Sequence, residues 1–224
     1  MINFSDRLIE QCKLKKSLVL VGIDPRLDQL PADLQKLAEK EGVAKAYEVF
    51  GKEIIDAVKD IAVAVKPQIA FYEVLGAPGF KAYQNTLLYA NEKGLLTISD
   101  AKRGDIGSTA EAYAEAFLSV DAAFPSDAVT INGYLGIDGV APFIKFCGTN
   151  GKGVYILVKT SNPSSGDFQD RILSDGKKVF EAVAEKVSLW GKEFIGKSGY
   201  SAVGAVVGAT WPEEALKAQA VAAR

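Results

Sequence analysis

The chain of 224 residues is 48% hydrophobic and sets 26 Lys and Arg against 28 Asp and Glu, a net charge of −2 with no histidine. That length and apolar content suit one α/β domain with a large core, and a mixed charge without a basic block gives no nucleic-acid signal. No apolar run approaches the ~18 residues of a membrane helix and residues 1–7 lack a signal-peptide pattern, so the chain reads as cytoplasmic with no membrane partner.

Without histidine the usual metal ligand and the usual base near neutral pH are missing, and chemistry falls to Asp, Glu, Lys, backbone groups or a bound cofactor. Cys12 and Cys147 stand in no metal or redox spacing and read as buried free thiols.

Apolar spacing at Leu8, Ile9, Cys12 and Leu14 predicts a short helix over 6–14. Residues 17–23 are a continuous apolar run, a strand of the kind buried on both faces of a parallel sheet, closed by Asp24. Helices are expected over 31–39 and 43–59, the second with Tyr47, Phe50, Ile54, Ile55 and Val58 on one stripe. A second strand over 62–65 ends at Lys66-Pro67, where the proline presses Lys66 into extended geometry, and 68–73 reads as a loop. A helix over 79–93 stops at Gly94. The central strand begins at Leu95, and a helix follows it to about Val120. Beyond it come a strand over 127–132, a short helix over 137–146, a strand over 153–160, a polar loop over 161–167, a helix over 177–194 and a strand over 202–210. A last helix is expected over 211–223, with Pro212 in its first turn.

Six strands alternating with helices are the pattern of βαβ units, fitted by a doubly wound sheet or a (β/α) barrel. No Gly-x-Gly-x-x-Gly and no Walker loop follows a strand, which weakens the nucleotide-binding readings of an open sheet.

The charged residues collect where the strands end. The central strand runs into Asp100-Ala101-Lys102-Arg103-Gly104-Asp105. On a strand, i and i+2 share a face, so Asp100 and Lys102 are expected to point the same way, with Asp105 brought back by a sharp turn at Gly104. A lone Asp-x-Lys is most simply a surface salt-bridge cluster. Here its place at the C-terminal end of a strand is where α/β folds put their sites. Arg103-Gly104-Asp105 also spells an adhesion tripeptide, a reading that its place in a strand-to-helix connection does not support.

Asp100-x-Lys102-x-x-Asp105-Ile106-x-x-Thr109 resembles the signature of the orotidine 5′-phosphate decarboxylase family. So do Gly22-Ile23-Asp24-Pro25, the stretch from Val65-Lys66-Pro67 to Glu73, Thr130-Ile131-Asn132, Lys159-Thr160-Ser161-Asn162-Pro163, and residues 204–210. The resemblance spans the whole chain and points to the bacterial subfamily with an extended first βα connection. It implies an eight-stranded (β/α) TIM barrel acting as a homodimer on a nucleotide, orotidine 5′-monophosphate. By it, Lys66, Asp100, Lys102 and Asp105 form an alternating charged network, with Asp105 and Thr109 reaching across to the neighbour's site. Asp24 matches a ribose-binding aspartate and Ser161 a serine that hydrogen-bonds the pyrimidine; Ile106 and Asn132 fall in matched motifs and are taken as substrate-binding.

The reaction so implied converts the substrate to uridine 5′-monophosphate in pyrimidine biosynthesis. Losing CO2 from C6 leaves a carbanion with no ordinary electron sink, so charge beside C6 must be stabilised. An ammonium at Lys102 does this and then supplies the proton. A carboxylate of Asp100 or Asp105 near the departing group adds repulsion that disappears with CO2. No metal or organic cofactor is called for.

The family's phosphate-gripping glutamine loop and phosphate-binding arginine have no counterpart up to Arg224. Six strands cannot close the barrel that eight close, so the expectation is a single domain over 1–224 that is incomplete at its C-terminal side, in a protein continuing by two more βα units. The alternatives are a Schiff-base aldolase using Lys66, Lys102 or Lys159, a Mg2+-dependent β-keto acid decarboxylase on the same barrel, and an inactive domain that still dimerises. Against the aldolase, flanking carboxylates favour the protonated lysine, which is no nucleophile.

Overall fold

The computed structural model describes residues 1–213 and 215. Six strands, β1 (Leu20–Ile23), β2 (Ala64–Pro67), β3 (Leu96–Arg103), β4 (Ala128–Ile131), β5 (Gly153–Lys159) and β6 (Val203–Val207), hydrogen-bond in chain order. The β1/β2, β2/β3 and β5/β6 pairs are parallel. The helices are α1 (Phe4–Lys15), α2 (Ala32–Glu41), α3 (Val43–Val58), α4 (Ala70–Glu73), α5 (Gly76–Glu92), α6 (Gly107–Leu118), α7 (Ile137–Asn150) and α8 (Val179–Gly191). The chain divides into two compact units, one of residues 6–101 and 115–129, the other of 1–5, 102–114 and the described residues from 130 on.

The first unit is built on the stripe of α3. Ile55 packs with Ile23, Ala62, Val65, Ala90 and Leu95, and Phe50, Ile54 and Val58 lie against them. Each fully buried Ile or Val of this group contributes roughly 1.5–3 kcal/mol. The Lys15 ammonium closes the helix end, donating to the carbonyls of Lys59 and Ala62 at 2.7 Å each. A cation there satisfies the carbonyl of the C-cap residue Lys59 and one in the turn that follows, and suits the negative end of the helix dipole. Burial lowers the Lys15 pKa, opposed by Asp60. Asp127 takes Arg7 Nη1 at 2.6 Å and the Thr97 N–H at 2.9 Å, which ties α1 and the start of β3 to one carboxylate.

In the second unit β5 is buried along most of its length, with Phe4 set edge-on to Tyr155 at 6.1 Å between ring centroids. Phe180, Ala184 and Val187 give α8 its buried face.

Four expectations are corrected. The strand over 17–23 is not buried on both faces: β1 begins only at Leu20, Leu18 is 84% exposed, and within β1 only Ile23 is buried. The loop over 68–73 contains the short helix α4. The helix expected to end at 146 continues through Pro142 to Asn150, because its stop is the left-handed Gly151 (φ 61), whose N–H donates to the Phe146 carbonyl. Cys147 is buried, but Cys12 on α1 is partly exposed. The helix expected over 211–223 lies, except for 211–213 and 215, outside the described residues. Among the described residues no helix is long and apolar enough to cross a membrane.

Burial pushes the Cys147 thiol up to about 12. A raised thiol pKa favours the neutral folded form, so its contribution is complete below the unfolded value of about 8.5 and is lost as pH rises from there toward 12. Iodoacetamide at pH 8 is therefore expected to label Cys12 well before Cys147 in the native protein, read by mass spectrometry of the peptides. Equal rates for the two thiols would contradict the burial of Cys147.

Candidate active site

In the first unit β1 and β2 end side by side, level with Asp100 of β3. Ile23 pairs with Pro67 and Gln68 bridges to Asp100. The Gln68 N–H donates to the Ile23 carbonyl at 3.1 Å and the Ile69 N–H to the Asp100 carbonyl at 3.3 Å. On this platform Lys66 Nζ donates to Asp100 Oδ2 at 2.7 Å, with side chains 29% and 9% exposed. The apolar run of β3 carries Asp100 into the interior, and the Lys66 ammonium helps to offset the burial of its charge, so removing Lys66 takes a charge partner from a buried carboxylate and is destabilising. Asp24, one residue past β1, is exposed. Nearby in sequence, the Arg26 guanidinium lies over the Phe71 ring at 5.4 Å.

The second unit holds Lys102, Asp105, Ile106, Thr109, Asn132 and Ser161. Lys102 is exposed and has φ 47, a left-handed backbone inside a strand. This departs from the extended geometry that the i, i+2 rule presupposes, and Asp100 is buried where Lys102 is not. A non-glycine residue held there stores roughly 1–3 kcal/mol of strain, which the surroundings must offset and which clusters at functional positions. The Lys102 N–H donates to Thr130 Oγ1 at 3.0 Å, and Thr130 on β4 is buried.

The sharp turn expected at Gly104 is not where the left-handed residues fall; these are Lys102 and Gly107 (φ 54). Gly104 eases a close approach instead, because a Cβ there would press on Asn132 Cβ at 3.3 Å. That approach is fixed by the Asn132 N–H donating to the Arg103 carbonyl at 2.8 Å. Asp105 Oδ1 accepts the Ile106 N–H at 2.8 Å at the start of α6, where a carboxylate suits the helix dipole. Ile106 is 55% exposed, and Thr109 is also exposed.

Ser161 is exposed, one residue beyond the pinned Thr160. Gly208 after β6 lies so near that a Cβ would stand 3.0 Å from the Ser161 nitrogen and Cβ. Lys159, weighed above as an aldolase nucleophile, is fully buried, 2.7 Å from Asp170 Oδ2 and 4.9 Å from the Trp211 ring centroid. A lysine enclosed by a carboxylate and an aromatic face has no open approach for a carbonyl substrate, which argues against the nucleophile role. Among the described residues no group of three or more His, Cys, Asp or Glu is placed to hold a metal.

A family model described as "Orotidine 5'-phosphate decarboxylase / HUMPS family" matches residues 28–222. The chain belongs to the orotidine 5′-phosphate decarboxylase / HUMPS family. Within it the chain is similar to the orotidine 5′-phosphate decarboxylase of Clostridium perfringens (strain SM101), 44% identical over 211 residues, covering 94% of this chain and 72% of that one. It is 45% identical to the orotidine 5′-phosphate decarboxylase of Caldicellulosiruptor bescii, with coverage of 97% and 75%. The solved structure of the Leishmania donovani OMP decarboxylase superposes with a TM-score of 0.80 at 32% identity, over 99% of this chain and 76% of that one. The α/β fold is therefore that of the family's TIM-barrel structures.

The sequence motif contained Thr130 but gave its hydroxyl no role. The only signal was a hydroxyl inside the apolar Ala128–Ile131 strand, where the other residues are all hydrophobic. Thr130→Val keeps the shape and deletes the acceptor for the Lys102 N–H, so kcat is expected to fall by about tenfold with KM little changed, while Thr130→Ser recovers most of it. Steady-state kinetics of the two variants check this. Equal losses in Ser and Val would assign the effect to packing.

Proposed function

We propose that Lys102, Asp100, Asp105 and Lys66 carry the chemistry of this chain, and that Asp24, Ile106, Thr109, Asn132 and Ser161 bind its substrate. The reaction is the decarboxylation of orotidine 5′-monophosphate to uridine 5′-monophosphate in pyrimidine biosynthesis, and the chain is a carboxy-lyase. The observation that carries the assignment of residues is the end of β3, where a buried Asp100 is paired to Lys66 and Lys102 is held in a strained conformation. Rigid charges of this kind need no reorganisation when the C6 carbanion develops.

In this reading the Lys102 ammonium lies beside C6, lowers the energy of the anion and protonates it after CO2 leaves. Asp100, held by Lys66, keeps negative charge near the substrate carboxylate, so repulsion is relieved as that group departs. Ser161 accepts or donates a hydrogen bond at the pyrimidine, and Asp24 holds the ribose. The enzyme acts as a cytoplasmic homodimer in which Asp105 and Thr109 serve the neighbour's site. The exposed apolar side chains of Ile106 at 55%, Tyr134 at 86%, Leu135 at 47% and Ile137 at 44% support a covered surface in the second unit.

Incubation with orotidine 5′-monophosphate, followed by loss of its ultraviolet absorbance, tests the assignment. Turnover that survives chelator and is lost in Lys102→Ala and in Asp100→Ala is the expected result. Turnover unchanged in both variants would overturn the placement of the chemistry at β3.

A further inference from the structure

The loop after β5 is closed by a side chain far from the motifs. Gln169 Oε1 accepts the Thr160 N–H at 2.8 Å, and Gln169 Nε2 donates to Thr160 Oγ1, also at 2.8 Å. The same Thr160 hydroxyl donates to Asn162 Oδ1 at 2.6 Å, and the Thr160 carbonyl accepts Trp211 Nε1 at 3.0 Å. Thr160 and Asn162, the two neighbours of Ser161, are thus both fixed, Asn162 through the hydroxyl that Gln169 orients. Ser161 itself stays exposed.

The clasp is anchored in turn. The Gln169 N–H donates to the Ser165 carbonyl at 2.9 Å. Asp170, the next residue, takes Lys159 Nζ at 2.7 Å and Lys178 Nζ at 3.3 Å, and its carboxyl is held below the usual range first by the Lys159 hydrogen bond. Lys159 Nζ also reaches Ser165 Oγ at 3.2 Å. A buried ammonium needs its carboxylate, so Asp170 cannot easily leave, and Gln169 beside it is kept facing Thr160. Two hydrogen bonds from one planar amide fix both position and rotation of the residue they hold.

We propose that Gln169 is a positioning residue that sets the Ser161 hydroxyl for the pyrimidine of the substrate. This inference rests on the assignment of Ser161 given above. Nothing in the reaction requires Gln169 to touch the substrate, and its amide is occupied on both sides by Thr160.

The test is a double-mutant cycle in the active enzyme, with kcat and KM for orotidine 5′-monophosphate. Gln169→Met keeps the length and removes the amide; it is expected to shift the same kinetic parameter as Ser161→Ala, by roughly tenfold. The double variant should then be no worse than the more damaged single one, because an unpositioned hydroxyl and a missing one are equivalent. Gln169→Glu, which keeps an acceptor for the Thr160 N–H, should fall between native and Met, and it replaces Met in the cycle if Met fails to fold. Multiplying losses in the double variant would overturn the proposal, since Gln169 would then act independently of Ser161. A loss in Gln169→Met with Ser161→Ala silent would overturn it as well. Both variants silent would remove the Ser161 assignment together with it.

Discussion

Lys102→Ala is expected to lower kcat by roughly 10³-fold or more, about 4 kcal/mol of lost transition-state stabilisation, while binding of uridine 5′-monophosphate survives in part. The charge that develops at C6 exists only on the way to the carbanion, so an ammonium placed there acts mainly on the barrier. A proton donor is lost in the same substitution, and the two losses fall on one step. Lys102 also has φ 47, and alanine at that position keeps the backbone strain without any function to set against it. Lys102→Gly separates the two effects: it should be as inactive as alanine yet more stable by about 1 kcal/mol, because glycine accepts a left-handed backbone at no steric cost. Chemical denaturation and single-turnover kinetics on both variants read this directly. Retention of a tenth of native kcat in either would end the role assigned to Lys102.

The strand ends were legible in the sequence because three signals coincide there. Apolar runs stop, charges begin and a helix pattern follows, and Lys66 and Asp100 do meet as an ion pair at 2.7 Å. What a periodic rule could not carry was the residue two beyond Asp100. Residue type points to Gly104 for a left-handed turn, whereas the backbone puts that conformation on Lys102, and nothing in a lysine's propensity announces it.

The β1 segment failed for a related reason. Its apolar run predicts burial, but Leu18 and Val19 lie outside the strand and are 84% and 49% exposed. An apolar run says that a strand can be buried, not which of its residues have a neighbour. The Thr130 hydroxyl and the Gln169 amide are directed at the backbone N–H groups of Lys102 and Thr160, contacts that depend on the path the chain takes in three dimensions. Neither spacing nor composition encodes them.

Mixing two inactive variants, Lys102→Ala and Asp105→Ala, should restore about a quarter of native activity once subunits exchange freely. If Asp105 serves the neighbour's site, a mixed dimer has one site carrying both lesions and one carrying neither. Random exchange makes about half of the dimers mixed, and half of their sites are intact. The local structure favours that arrangement. Asp105 Oδ1 is engaged only one residue along, by the Ile106 N–H at 2.8 Å, at the exposed start of α6. Beside it, Ile106 and Pro142 line an open pocket of about 510 Å3 whose polar wall is Glu111, Asp138 and Lys145. Apolar side chains next to charges of both signs are what a self-complementary surface uses, since the two-fold axis sets each patch against its own copy. Asp105, partly exposed beside this surface, would then complete the site of the neighbouring subunit. Native mass spectrometry of isotopically distinct variants establishes exchange, and the ultraviolet assay reads activity on the same sample. Proven exchange with no recovered turnover would mean that each chain builds its site alone, and Asp105 would have to act within its own subunit.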